Sequence, residues 1–378
     1  MNSGPPVTTA PPAASAPPLA RPGRFLLLAG GGVCLLAGLN ASLLLLGLPA
    51  PVSLARLADL HGILMVLGFL GTVIALERAV ALRRRWGLAA PACLGLGGVV
   101  LLSPAPVVVG QLLLVLGCLA LIAVYAALWR RAQEVTVLVQ LLGAVLAACA
   151  AALWGRTDVA VVLPWLVGFL VLTIAAERAE LARLAMPTGA GEQLLALSGL
   201  LTAGVTLSLL WPRWGGPLFG LALLAITAWL SVHDVARRLI RSTGLPRFSS
   251  AALLAGYGWL GLAGALWALG AVPGAGAGPL ADHPAAYDTV VHATFLGFAI
   301  SMVMAHAPVI LPAVLSVRLP YRPVLWAPLA VLHTGLLIRV TGNMLGGGDP
   351  FVYQVGSVLT IVAVLLLVLT AVYLVATS

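Results

Sequence analysis

Apolar runs of about twenty residues recur along almost the whole chain, matching the length a helix needs to cross a bilayer. The period-two alternation of a barrel strand is absent. The pattern predicts an all-α polytopic membrane protein with twelve spans. They fall at 25–48, 58–81, 87–103, 106–128, 135–154, 158–179, 193–211, 214–233, 250–271, 287–311, 323–342 and 351–375. Residues 1–23, rich in Pro, Ala and Ser, read as a disordered tail and not a secretory signal; 24–378 read as one transmembrane domain. The stretch 272–286 reads as an outer loop.

Composition narrows this picture. The 378 residues are 61% hydrophobic and 8% charged, with mean hydropathy +1.10. A soluble domain carries about 25% charged residues, so a cytosolic enzyme is excluded. The net charge of +9 is not a nucleic-acid signal, because the basic residues lie between the spans. All 20 are Arg, which removes lysine Schiff-base chemistry. With the N-terminus inside, 16 of the 20 fall on the cytoplasmic side; Arg56, Arg156, Arg213 and Arg339 fall toward the outside. The positive-inside rule then places both termini in the cytoplasm. Cys34, Cys93, Cys118 and Cys149 each lie inside a span and form no C-x-x-C pair, so they read as small buried apolar residues.

An internal repeat is visible. A shift of 100 residues carries Gly68-Phe69-Leu70, Ile74-Ala75 and Glu77-Arg78-Ala79 of the second span onto Gly168-Phe169-Leu170, Ile174-Ala175 and Glu177-Arg178-Ala179 of the sixth. The tenth span holds a weaker copy, Leu296-Gly297-Phe298, with His306 where the others have Glu77 and Glu177. Similar spans at positions two, six and ten suggest three copies of a four-helix unit, and repeats in membrane folds commonly meet at a central site.

Polar side chains inside a span are costly, and by default mark function. Of six histidines, His233 and His283 read as interfacial or solvated, whereas His61, His292, His306 and His333 lie within spans. The spans bearing His61 and His292 run in the same direction, and each histidine sits about one turn below the outer boundary. Two neutral imidazoles at one depth suit bis-His ligation of a b-type haem; interhelical hydrogen bonding is the plainer alternative. Arg339 comes to the same level and suits a haem propionate. Met65, four residues after His61, is either an axial ligand or packing.

Taken as one straight α-helix, the tenth span puts His306 on the His292 face but about 21 Å away, too far to share a metal. His306 instead approaches the level of Glu77 and Glu177, where a metal or a proton relay competes with plain Glu–Arg pairing; pairing is the favoured reading. His333, near mid-depth, is a further candidate metal ligand or relay group.

The run His61-Gly-Ile-Leu-Met65-Val-Leu-Gly68-Phe69, with Val73-Ile74-Ala75 following, resembles the NnrS family of haem- and copper-containing bacterial membrane proteins. So do His292-Ala293 with Gly297 and Met302, and Leu337-Ile338-Arg339-Val340. The family's H-x-H-E-M run has Ile63 and Leu64 here in place of its second His and its Glu, and Met304-Ala-His306-Ala-Pro308 has no counterpart. Histidines on the second and tenth of twelve helices are also similar to the plan of haem-copper oxidase subunit I. That superfamily's adjacent His pair and its H-x-H on the tenth helix are missing. The resemblance implies a haem protein of the bacterial inner membrane in nitric oxide, nitrosative-stress or related redox metabolism. It would have copper or a second haem as further options and an electron-donor protein or quinone as partner. The rival classes are a secondary transporter, disfavoured by the four-helix period, and a cofactor-free assembly subunit.

Overall fold

The structure, a computed structural model, describes residues 21–270, 283–344 and 349–378. Twelve helices among these residues are long and apolar enough to cross a membrane, and no strand occurs among them. They are α1 (Pro22–Leu45), α2 (Leu57–Leu82), α3 (Arg85–Leu102), α4 (Val107–Ala132), α5 (Val135–Trp154), α6 (Val159–Leu181), α7 (Ala190–Leu210), α8 (Pro212–His233), α9 (Gly244–Ala268), α10 (Pro284–Leu315), α11 (Pro323–Met344) and α12 (Pro350–Ala376). The protein is thus an all-α, polytopic membrane protein.

Most helix ends fall within a few residues of the hydrophobic boundaries, because a helix that leaves hydrocarbon must satisfy its backbone elsewhere. One end differs by more than four residues. α9 begins at Gly244, six residues before position 250, since the polar start Gly-Leu-Pro-Arg-Phe-Ser-Ser continues the helix below the apolar run, with Pro246 tolerated in its first turn. α10 begins at Pro284, a favourable first helical residue, so positions 284–286 of the expected outer loop are helical. The remainder of that loop through residue 282 lies outside the described residues. Residues 1–20 of the expected tail do so too, and Pro22 and Gly23 already belong to α1.

The helices related by the repeat are the innermost: 83% of the apolar window of α6 is buried, and 67% of those of α2 and α10, against 56% or less elsewhere. Within each four-helix unit the third and fourth helices pack as a hairpin, and α4 and α8 hand on to α5 and α9. Between α12 and α1, the amide of Gln354 reaches the Leu46 carbonyl at 3.1 Å. Small residues bring the first three helices together: a Cβ on Gly68 would stand 2.9 Å from the Cys34 sulfur, with Gly98 of α3 just beyond.

Cys34 and Cys118 are buried as expected. Cys93 and Cys149 are only half-buried, on faces turned partly outward, and all four thiols are free.

One feature is absent from any α-helical reading. α2 is π-helical over Leu64–Gly71 and α10 over Ala293–Ile300. A shift of 229 residues carries one segment onto the other, and the same shift carries Gly68-Phe69 onto Gly297-Phe298 and Glu77 onto His306. In α6 the equivalent register begins at Pro164 and the helix stays α. π turns are rare and concentrate at functional sites.

Candidate functional site: two polar levels on three central helices

The outer level joins α1, α2, α10, α11 and α12. His61 lies four residues into α2 and His292 eight into α10, one turn deeper than the apolar boundary suggested, because α10 starts earlier. The two imidazoles are within electrostatic range of each other and of Asp288 and Arg339. His61 Nδ1 donates to the Gly38 carbonyl of α1 at 2.8 Å. His292 Nδ1 donates to the Asp288 carbonyl at 2.8 Å and lies 3.1 Å from the Asp288 carboxylate. A carbonyl only accepts, so both rings are held as the Nδ1–H tautomer, with the lone pair on Nε2. Metal-ligating histidines are oriented in the same way, by an Nδ1–H bond to a carbonyl or carboxylate.

Asp288, four residues before His292 and so on the same helix face, gathers the level. Arg339 donates to it twice, Nε to Oδ2 at 2.9 Å and Nη2 to Oδ1 at 2.6 Å. Tyr353 donates at 3.2 Å, and Asn343 approaches at 3.4 Å. The Arg339 guanidinium also donates to the Tyr353 hydroxyl at 2.9 Å and lies 4.9 Å from its ring centroid. The edge of Arg339 expected to meet a propionate is therefore held by Asp288. Met65 lies on the α1 side, where a Cβ on Gly38 would collide with its sulfur: it packs against α1.

Mid-depth belongs to His333. The indole of Trp259 donates to its Nδ1 at 2.9 Å, and its Nε2 faces Ser301 Oγ at 3.5 Å. Trp259 leans on the π segment at Gly297, where any Cβ would meet its ring.

The inner level is made of ion pairs. Arg78 pairs with Glu77, with Glu180 at 3.3 Å and, at 4.0 Å, with Glu177. Arg178 is bidentate to Asp234, Nε to Oδ2 at 2.8 Å and Nη2 to Oδ1 at 2.9 Å, and its Nη1 donates to His306 Nε2 at 2.9 Å. Tyr257 completes Asp234 at 2.5 Å, as does the Ala236 amide at 2.8 Å. Burial acts to raise the Asp234 carboxyl, but the hydrogen bonds and charge of Arg178, with the Tyr257 and Ala236 donors, hold it below the usual carboxylate range.

The pairing has a rule. The arginine of one repeat reaches the acidic position of the next: Arg78 to Glu177, then Arg178 to His306. The third repeat has Ala307 where an arginine would continue the ring. His306 therefore sits with Arg178 and Asp234, not inside a His/Glu/Glu cluster, and its Nε2 lone pair is occupied, as is that of His333 Nδ1. Among the described residues, no group of three or more His, Cys, Asp or Glu side chains is placed to hold a metal ion.

A family profile described as "Domain of unknown function (DUF8744)" matches residues 24–376, nearly the entire chain. The chain belongs to this family. No curated protein matches it.

The DUF8744 chain thus brings together His61, His292 and Arg339, and separates His306 and His333 from them. His233 is half-buried, stacked on Trp229 with its Nδ1 on the Trp229 carbonyl at 2.9 Å, and His283 is exposed. Sequence reasoning missed Asp288, Tyr353, Asp234, Tyr257 and Tyr125. The Asp288-x-x-x-His292 spacing was an available signal in a chain with only 11 acidic residues. Asp234 was hidden by its place just past an apolar span, which suggested solvent, although its side chain is fully buried.

Proposed function

We propose that the protein is a haem-binding integral membrane protein, holding a b-type haem near the outer face through Nε2 of His61 and Nε2 of His292. The observation that carries this is a shared tautomer lock: His61 and His292, within electrostatic range of each other, both have Nδ1 committed to a carbonyl and Nε2 left for a ligand. A donor set of two imidazoles is too small for a bare metal site but suffices for haem, whose macrocycle supplies the other four ligands. When bound, the haem would supply one-electron chemistry. The chain's own part is to fix the imidazoles. Gly38 orients His61; Asp288, clamped by Arg339, orients His292 and adds negative charge that makes it a stronger donor.

Copper and a second haem are left out of this reading, since the His306 and His333 lone pairs are spent on Arg178 and Trp259. The resemblance to NnrS proteins supports a role in nitric oxide, nitrosative-stress or related redox metabolism in a bacterial inner membrane, with a donor protein or quinone as electron source. The arginine distribution supports cytoplasmic termini.

A visible spectrum of the purified full-length protein, expressed with haem supplied, tests the reading. The expected result is reduced-minus-oxidised b-haem bands that vanish in the His61→Ala/His292→Ala double variant and persist in His333→Ala. A colourless wild-type protein, or bands indifferent to the double variant, would overturn it.

A further inference from the structure

The arginine ring is incomplete, and the gap leaves an excess of carboxylates. Glu77 receives no arginine from the third repeat, so Arg78 turns back to its own neighbour Glu77 while also serving Glu177 and Glu180. One guanidinium thus faces three carboxyl groups. The side chains of Glu77 and Glu177 are only 18% and 12% exposed, whereas that of Glu180 is about half exposed. Other cations on the surrounding elements are engaged elsewhere. Arg178 is committed to Asp234 and His306, Arg131 of α4 donates to the Ala81 carbonyl, and Arg183 pairs with Glu134. Arg24 of α1 donates to the Val314 carbonyl of α10, and Arg83, Arg84, Arg85 and Arg130 are exposed.

A second observation points into the same place. Tyr125 of α4 is fully buried, and its hydroxyl has no hydrogen-bond partner among the described residues. Its charged neighbours are Arg78, Glu77, Glu177 and Glu180. An orphaned buried hydroxyl is costly and calls for a partner. Two desolvated carboxylates beside a single shared cation are costly in the same way, and the usual resolution is that one of them is neutral.

We propose that Glu77 and Glu177, with Tyr125, form a proton-binding site at the cytoplasmic end of the central helices, holding one exchangeable proton between the two carboxyl groups. The proton comes from cytoplasmic water past Glu180, converts one carboxylate to a carboxylic acid, and leaves by the same path. No other bond changes. Tyr125 donates to the carboxyl group that remains ionised. Arg78 balances the residual charge and disfavours a metal cation in the same position. The site is independent of the haem reading.

Infrared difference spectroscopy on the full-length protein in lipid nanodiscs tests it through the C=O stretch of a protonated carboxyl group. The wild type is expected to show one such H/D-sensitive band near neutral pH, lost on raising the pH. The band should be absent in both Glu77→Gln and Glu177→Gln, because removing either member relieves the pair. It should be retained in Glu180→Gln and shifted in Tyr125→Phe, which removes a single oxygen. Any bound-haem carboxyl cancels in the variant differences. No band in the wild type, a band unchanged in both Gln variants, or a band displaced by sodium or potassium at constant pH would each overturn the proposal.

Discussion

Asp288 joins His292 to Arg339: one carboxylate lies 3.1 Å from the imidazole Nδ1 and accepts two guanidinium hydrogen bonds, at 2.6 and 2.9 Å. The Arg339 side chain is only 8% exposed, so its charge depends on this partner. Asp288→Asn is expected to cost about 3–5 kcal/mol, the range for breaking one side of a buried pair. Asp288→Asn/Arg339→Leu should cost less than the single change, since no charge is stranded. Thermal unfolding of the four proteins of this cycle checks it, and a double variant worse than the single would refute the pairing as the cause.

Asp234 predicts an acid limb in stability. Its folded carboxyl titrates below the ordinary value of about 3.9. The pairing with Arg178 is then fully present above that pH and is lost as pH falls through the folded value. Asp234→Asn should lower the melting temperature near neutrality while flattening the decline below about pH 4 relative to wild type. Equal slopes in both proteins would count against the assignment.

Gly297 and Gly32 make a matched pair. A Cβ at Gly297 would run into the Trp259 ring, whereas one at Gly32 meets nothing within 4 Å. Gly297→Ala is expected to destabilise by about 1–3 kcal/mol through overpacking, and to displace the indole that serves His333. Gly32→Ala should be neutral or slightly stabilising, because alanine is the better helix former. Melting temperatures and tryptophan fluorescence of the two variants separate the effects.

Orientation is testable with introduced thiols, as the native cysteines all lie within the spans. Ser53→Cys, between α1 and α2, should label with an impermeant maleimide in intact cells. Thr243→Cys, between α8 and α9, should label only after permeabilisation. The reverse pattern would invert the arginine reading.

The twelve helices were legible because the bilayer makes length and apolarity sufficient signals, and the repeat was legible because Glu-Arg dipeptides inside spans are rare. The partners were harder. Arg178 and Glu177 are adjacent in sequence, yet Arg178 turns to Asp234 and His306, a choice that depends on helix packing and leaves no local trace. The placement of His306 on the His292 face also fails, for a specific reason: eight residues of π-helix lie between them, and i→i+5 bonding does not turn by 100° per residue. Nothing in the composition of Ala293–Ile300 announces that winding. His61 lies within a residue of its expected place in its helix, and His292 three residues further in than expected, because Pro284 starts α10 earlier than hydropathy alone could show.

The paired π segments carry a mechanical consequence. α2 and α10 each hold a histidine at the outer level and an ionisable group, Glu77 or His306, at the inner one, with a π segment between them. Rewinding either segment to α would swivel the part of the helix that bears Glu77 or His306 about the helix axis, relative to the part that bears the histidine of the other level. α6, with Pro164 in that register and an unbroken α winding, lacks such a joint. Two of the three central helices therefore change winding between their two polar levels, and the third does not.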